Sequence, residues 1–569
     1  MSKIDRRALL GRMGAGAVVL GVGPTLWRQP AVQGAPGIEQ VHLQFGADAG
    51  REMTVSWVTA EPVQRPRLRY GTADGGLGEP VDAMTRTYTD HATGREIVVH
   101  HATLGGLDPD TAYTYRAEHE GASAVDGELR TAPSGPARFS FTSFGDQGVA
   151  GDGLGSAASD IVVDHIEQQA PLFHLVNGDL AYSDLAADPG MAWDKWFAQS
   201  HRSAAARPWM PVAGNHEQET GNGEHGYSAF QTRFLVPDNR IDGLGGLFYA
   251  FTVGSVRFVA LQNDDVCYQW GSEDYVRGYS GGEQRRWLDR ALGEARDDPA
   301  IDWIVVWMHQ LVMSSVVGGN GSDLGIREEF APLFDEHDVD LVLGGHDHDY
   351  ERTHPVRGVD PDSPLLRPQV VDEATDVIDA TTGTVHMVLG GGGNPVTHTE
   401  FGNGPQGGRV VVGHDGRFVA RYEYEEPVWS AVTDTAQAYG FGAFEVDPGE
   451  EGGTTSIAVT YHRTANAAGQ PATPYDRFRL EKPRRAVAPD AAASRRPGEA
   501  AGAGGSDGGG RAWPIVIGAG AAGAAGAGAA AVLRSRRPVA TVENSVGTTN
   551  GGEGADATNG TSPSDGATS

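Results

Sequence analysis

Seven side chains able to bind a metal ion stand just beyond the ends of five short apolar runs. Phe139–Phe144 leads to Gly145 and Asp146, and Leu172–Val176 leads to Gly178, Asp179 and then Tyr182. Trp209–Ala213 leads to Gly214, Asn215, His216 and Glu217, while Trp303–Met308 leads to His309. Val339–Leu343 leads to Gly344, Gly345, His346, Asp347 and His348. Singly, each signal has an ordinary reading. A Gly-Asp pair after a strand is usually a turn, Asn215 suits a helix cap, and His309 could be a satisfied core histidine. Together, oxygen and imidazole donors at five successive strand ends point to a site for cations.

The elements that must carry these residues are legible in the periodicity. From Arg138 onward, apolar runs alternate with helical stretches, which predicts helices packed on a largely buried sheet. The spacing predicts a helix over Ser280–Arg296, with Ser280 and Glu283 as a capping box. A second helix is expected from about Ile326, with Phe330, Leu333 and Phe334 on one face. In open α/β sheets, ligands bind beyond the carboxyl ends of strands, so side chains distant in sequence can converge there. Residues 38–132 read as all-β, with alternating runs around Trp57 and Tyr113 bounded by turn residues at sandwich-like spacing. This stretch resembles a fibronectin type III-like module and contains no cluster of ligands.

The runs GDQG, GDLAY, GNHE, a lone histidine after an apolar strand, and GHDHDYER resemble the calcineurin-like metallophosphoesterase signature. The tyrosine of GDLAY resembles the purple acid phosphatase branch, in its bacterial form. The resemblance implies an α/β (α+β) sandwich of two mixed β-sheets flanked by helices, behind the all-β domain. It also implies two metal ions. Asp146, Asp179, Tyr182 and His348 would hold one, expected to be Fe(III). Asp179, Asn215, His309 and His346 would hold the other, expected to be Zn, Mn or Fe(II), with Asp179 shared. The implied reaction is hydrolysis of a small phosphoester, as by an acid phosphatase, with hydroxide from metal-activated water as the nucleophile. Catalytic roles fall to Asp179 and His216, and phosphate contacts to Asn215 and His216. Glu217 is expected to orient neighbours, and Tyr350 and Arg352 either to close the site or to pack. The alternatives are a phosphodiesterase acting on nucleotides or lipid head groups, and a non-enzymatic surface binding protein. One departure is visible. The histidine pair that supplies the general acid in plant members is replaced by Gly318 and Gly319, leaving His216, Asp323 and His354 as candidates.

With 44 basic against 75 acidic residues, the net charge of −31 argues against binding a nucleic-acid scaffold through a basic face. Cys267 is the sole cysteine, which excludes an intrachain disulfide. Arg6 and Arg7 ahead of a weakly apolar stretch resemble a twin-arginine export signal over residues 1–35. The expected domains are 36–134 all-β, 137–425 catalytic, 426–482 a β-rich continuation of the catalytic unit, and 483–511 a linker. Residues 512–533 carry no charge and precede Arg534, which predicts a single transmembrane helix, with 534–569 as an unpacked tail. The protein is therefore expected on the extracytoplasmic face, anchored there, or secreted if the segment does not insert. Its oligomeric state is not legible.

Overall fold

The computed structural model describes residues 35–485, apart from 152, 270–274, 395–400, 403, 405–406, 415–418, 435–438 and 466. Two four-stranded antiparallel sheets form the N-terminal domain. One has the order Glu39–Phe45, Met53–Thr59, Glu96–Leu104, Met84–Thr89, and the other runs Val81–Asp82, Arg67–Thr72, Ala112–Glu118, Val125–Arg130. Trp57 is fully buried between them. The Tyr113 hydroxyl accepts a hydrogen bond from the Asp108 backbone at 2.9 Å, tying the preceding turn to its strand.

Behind this domain stand two seven-stranded mixed sheets. In the first, Trp209–Pro211, Phe173–Val176 and Phe139–Phe144 are parallel, and Gly440–Asp447 then pairs antiparallel with Phe139–Phe144. In the second, Val256–Ala260, Trp303–Trp307, Leu341–Gly344 and Val385–Leu389 are parallel. The second set is near-continuously apolar, as strands covered on both faces tend to be, while Phe139–Phe144 alternates phenylalanine with Ser and Thr. An aromatic layer fills the space between the sheets. Phe141 stacks on Phe444 at 4.6 Å and on Phe173 at 5.4 Å, and Phe258 meets Phe173 edge-on at 5.3 Å.

Three expectations need correction. The helix Glu283–Asp297 forms, but Gly282 precedes it at φ 81° without a side-chain cap. The Ser280 hydroxyl donates to Asp265 at 2.5 Å while accepting from the Gln284 N–H at 3.3 Å, so it reaches the first turn from two residues before the N-cap. The second expected helix is two short ones, Leu324–Glu329 and Ala331–Glu336. Pro332 lacks the N–H that a continuous helix would use, so the break falls at Phe330. Finally, the fold class is a mixed α/β metallophosphoesterase sandwich with an N-terminal all-β domain, without the C-terminal transmembrane helix. No helix among the described residues is long and apolar enough to cross a membrane, and segment 512–533 lies outside those residues.

Candidate metal centre

The parallel strands of both sheets end at one place. Asp146, Asp179 and Asn215 follow strands of the first sheet, while His309, His346 and His348 follow strands of the second. Four of the predicted ligands, Asp146, Asp179, Tyr182 and His346, have positive φ between 52° and 71°. Non-glycine residues adopt this region rarely and at a cost, and such positions concentrate at functional sites. Gly214 is required for close approach, since a Cβ there would lie 2.2 Å from Asp179 Oδ1.

Two groups of donors result. In one, Tyr182 Oη lies 3.2 Å from Asp146 Oδ1 and 3.0 Å from His348 Nε2. In the other, His309 Nε2 lies 3.1 Å from each of Asp179 Oδ2, Asn215 Oδ1 and His346 Nδ1. The tautomers follow from what lies behind the rings. His309 Nδ1 faces the Asn177 carbonyl at 2.8 Å and must donate to it. His346 Nε2 faces Gln269 Oε1 at 2.8 Å and donates likewise. Neutral imidazoles so oriented point lone pairs at each other, beside a carboxylate and an amide oxygen. Four acceptors converging with at most one proton among them is the arrangement a cation resolves. Asp179, His309 and His346 form a buried group whose ligand atoms lie within 4.8 Å of one another.

Surrounding groups hold the frame. Glu217 accepts from the backbone N–H groups of Asp179, Leu180 and Gly214, each at 2.8 Å, so it ties two ligand loops together. Both oxygens of Asp184 lie 2.9 Å from His216 Nδ1. Burial lowers the His216 imidazole pKa, but Asp179 and Asp184 outweigh it and raise it to about 9. In the same way, burial opposes and Asp179 and Asp146 together hold His309 up to about 10 in the metal-free protein. Tyr182 is pushed well above its ordinary value by burial and by Asp146 and Asp179.

All seven predicted ligands are thus brought together, with His216 beside them. The other candidates are not. Asp323 caps a helix and accepts from the backbones of Tyr268, Gln269 and Gly325, while His354 lines a separate cleft with Asp360 and Arg367. Tyr350 and Arg352 both bond Asp476 on the last strand, so they pack rather than close the site. A Cβ at Gly319 would lie 2.6 Å from both Asp347 Oδ1 and Val316 Cγ1.

Asn177, Asp184 and Gln269 were missed in the sequence. The first two flank the GDLAY run and could have been found there, whereas Gln269 carries no local signal.

Residues 38–138 match the purple acid phosphatase N-terminal domain, and residues 154–350 match the calcineurin-like phosphoesterase domain. Purple acid phosphatase 18 of Arabidopsis thaliana is 30% identical over 363 residues, covering 63% of this chain and 71% of the relative. The chain belongs to the purple acid phosphatase family. An uncharacterized protein of Mycobacterium tuberculosis is 48% identical, covering 81% of this chain and 90% of its own. The structure of a purple acid phosphatase from yellow lupin (Lupinus luteus) seeds shares the fold. Its TM-score is 0.58 at 21% identity, with 78% of this chain and 74% of that chain covered. Membership makes this protein a metallophosphoesterase whose fold implies two metal ions, and the donor set fits them.

Proposed function

We propose that this purple acid phosphatase hydrolyses phosphomonoesters, using Asp146, Asp179, Tyr182 and His348 for one metal ion and Asp179, Asn215, His309 and His346 for the other. The observation that carries this reading is the convergence of His309 Nε2, His346 Nδ1, Asn215 Oδ1 and Asp179 Oδ2 around one point. The hard oxygen donors Asp146 and Tyr182 suit Fe(III), and the more imidazole-rich second set suits Zn, Mn or Fe(II). Bound cations supply Lewis acidity toward phosphate oxygens and a water molecule of lowered pKa.

The chain's own residues supply the rest. Asp179 would be shared by both ions, its carboxylate setting the spacing between the two groups. Asn215 and His216 border the second group, where they can hold the phosphate. Asp184 fixes the His216 ring through Nδ1 and leaves Nε2, 3.9 Å from Asp179 Oδ2, on the side of the donors. His216 is the residue placed to steady phosphoryl charge or carry a proton to the leaving oxygen. Gly318 and Gly319 themselves carry no proton donor.

The test is the rate on p-nitrophenyl phosphate against that on bis(p-nitrophenyl) phosphate, across pH. Faster monoester cleavage is expected; faster diester cleavage would make the protein a diesterase. The ferric assignment is checked by a visible absorption band that disappears in Tyr182→Phe, and a colourless active protein would reject it.

A further inference from the structure

Directly after the Asn215-His216-Glu217 turn, the chain folds into a glycine-rich loop that forms one wall of a cleft of about 340 Å³. Gln218, Glu224 and His225 line this wall. Tyr275, Arg277 and Tyr279 line the opposite wall. Each wall is tied to the metal centre. The Gln218 N–H bonds the Asn215 carbonyl at 3.3 Å, and Glu219 accepts from the hydroxyl of Ser183, the neighbour of Tyr182, at 2.6 Å. Earlier in the chain than the facing wall, Gln269 touches His346. Tyr279 also packs against Tyr227, whose hydroxyl bonds Asp264, itself a partner of Gln310 beside His309.

The cleft holds unmet hydrogen-bonding capacity. Gln218 is 2% exposed, yet neither its amide oxygen nor its amide nitrogen has a partner. The buried Tyr279 hydroxyl also has none. Gly226, at φ 85°, keeps the Gln218 stem in place, since a Cβ there would lie 2.9 Å from Gln218 Cγ. Buried amides are nearly always bonded, so such a group lining a cleft points to a ligand that supplies the partner. A glutamine amide offers a donor and an acceptor side by side, which matches the edge of a nucleobase. Around it, the His225 imidazole lies 5.2 Å from the Tyr279 ring, and Tyr275 adds a further face for stacking. The volume lies within the usual range for sites of small ligands.

We infer that this cleft seats the base of a nucleoside monophosphate while its phosphate occupies the metal centre. The cleft therefore selects the leaving group of the hydrolysis. The inference rests on the phosphomonoesterase reading above. The attacking water forms the new P–O bond, the ester P–O bond breaks, and the nucleoside leaves with a proton on its oxygen.

The experiment compares adenosine 5′-monophosphate with glycerol phosphate as substrates for the full chain at equal metal content, and measures adenosine binding by calorimetry. The expected kcat/KM ratio favours the nucleotide at least about tenfold. Gln218→Leu and Tyr279→Phe should each cut that ratio about fivefold or more, mainly through KM, and weaken adenosine binding in parallel. A ratio near one in the wild type overturns the inference, as does a ratio and adenosine affinity that neither variant changes. Failure of the metal-loaded chain to hydrolyse either ester overturns the phosphatase reading and this one with it. Glycerol phosphate hydrolysis without nucleotide preference removes only the cleft.

Discussion

His216 shows how one side chain depends on another chosen for it. Its ring is held through Nδ1 by both oxygens of Asp184, a largely buried carboxylate. Removing that charge frees the ring to rotate and lets Nε2 leave the donor group. Asp184→Asn should therefore lower kcat/KM about 10–100-fold, the usual effect of losing a partner that orients a functional group, while metal content stays unchanged. Metal analysis beside steady-state kinetics checks this. Equal activity, or a loss explained entirely by missing metal, would contradict it. Glu217 is the contrasting case. Its carboxylate accepts three backbone N–H groups from two loops. Its role is to set where Asp179 sits.

The strands were the most legible elements, and for a physical reason. Runs buried on both faces are largely apolar, so Trp303–Met308 announces itself, and the phenylalanines of Phe139–Phe144 mark the other strand; both fix where the next side chain emerges. Pairing between distant strands is not written locally. Nothing near Gly440 says that Gly440–Asp447 will join Phe139–Phe144 and complete the first sheet. Helix ends are less legible: Ser280 bonds Asp265, 15 residues earlier in the chain, and the helix starts only at Glu283, behind Gly282. Gln269 stayed invisible as a support because its role exists only once its loop meets His346. Between the sheets, Phe141 is wholly buried among Phe173, Phe258 and Phe444. Phe141→Ala should cost about 3–5 kcal/mol of stability, read from denaturant unfolding. A cost below about 1 kcal/mol would mean that the aromatic layer does not join the sheets.

Across the whole molecule, acid should weaken the fold even though the family name suggests acid chemistry. His42 and His101 sit where the N-terminal domain meets the catalytic unit, bonding the carbonyls of Arg233 and Thr232 at 2.9 and 3.0 Å. Burial first, with help from neighbouring Arg233 and His201, holds His42 down to about 4. Burial, with His42 and Arg86, holds His101 down to about 3. Both rings are depressed below the unfolded value of about 6.5, so the unfolded chain binds more protons between those limits. Their stabilisation is complete above about pH 6.5 and is lost as the pH falls toward 4. The melting temperature should drop between about pH 7 and about pH 5, and His101→Gln should reduce that drop. An unchanged melting temperature over this interval would contradict the assignment. The centre itself, where the two sheets end, makes the simplest claim: seven side chains form two cation sites. Transition-metal content of the purified full chain tests it most directly. Two ions of Fe, Zn or Mn per chain are expected, falling to one or fewer in His309→Ala, and no more than trace metal in the wild type would contradict the account.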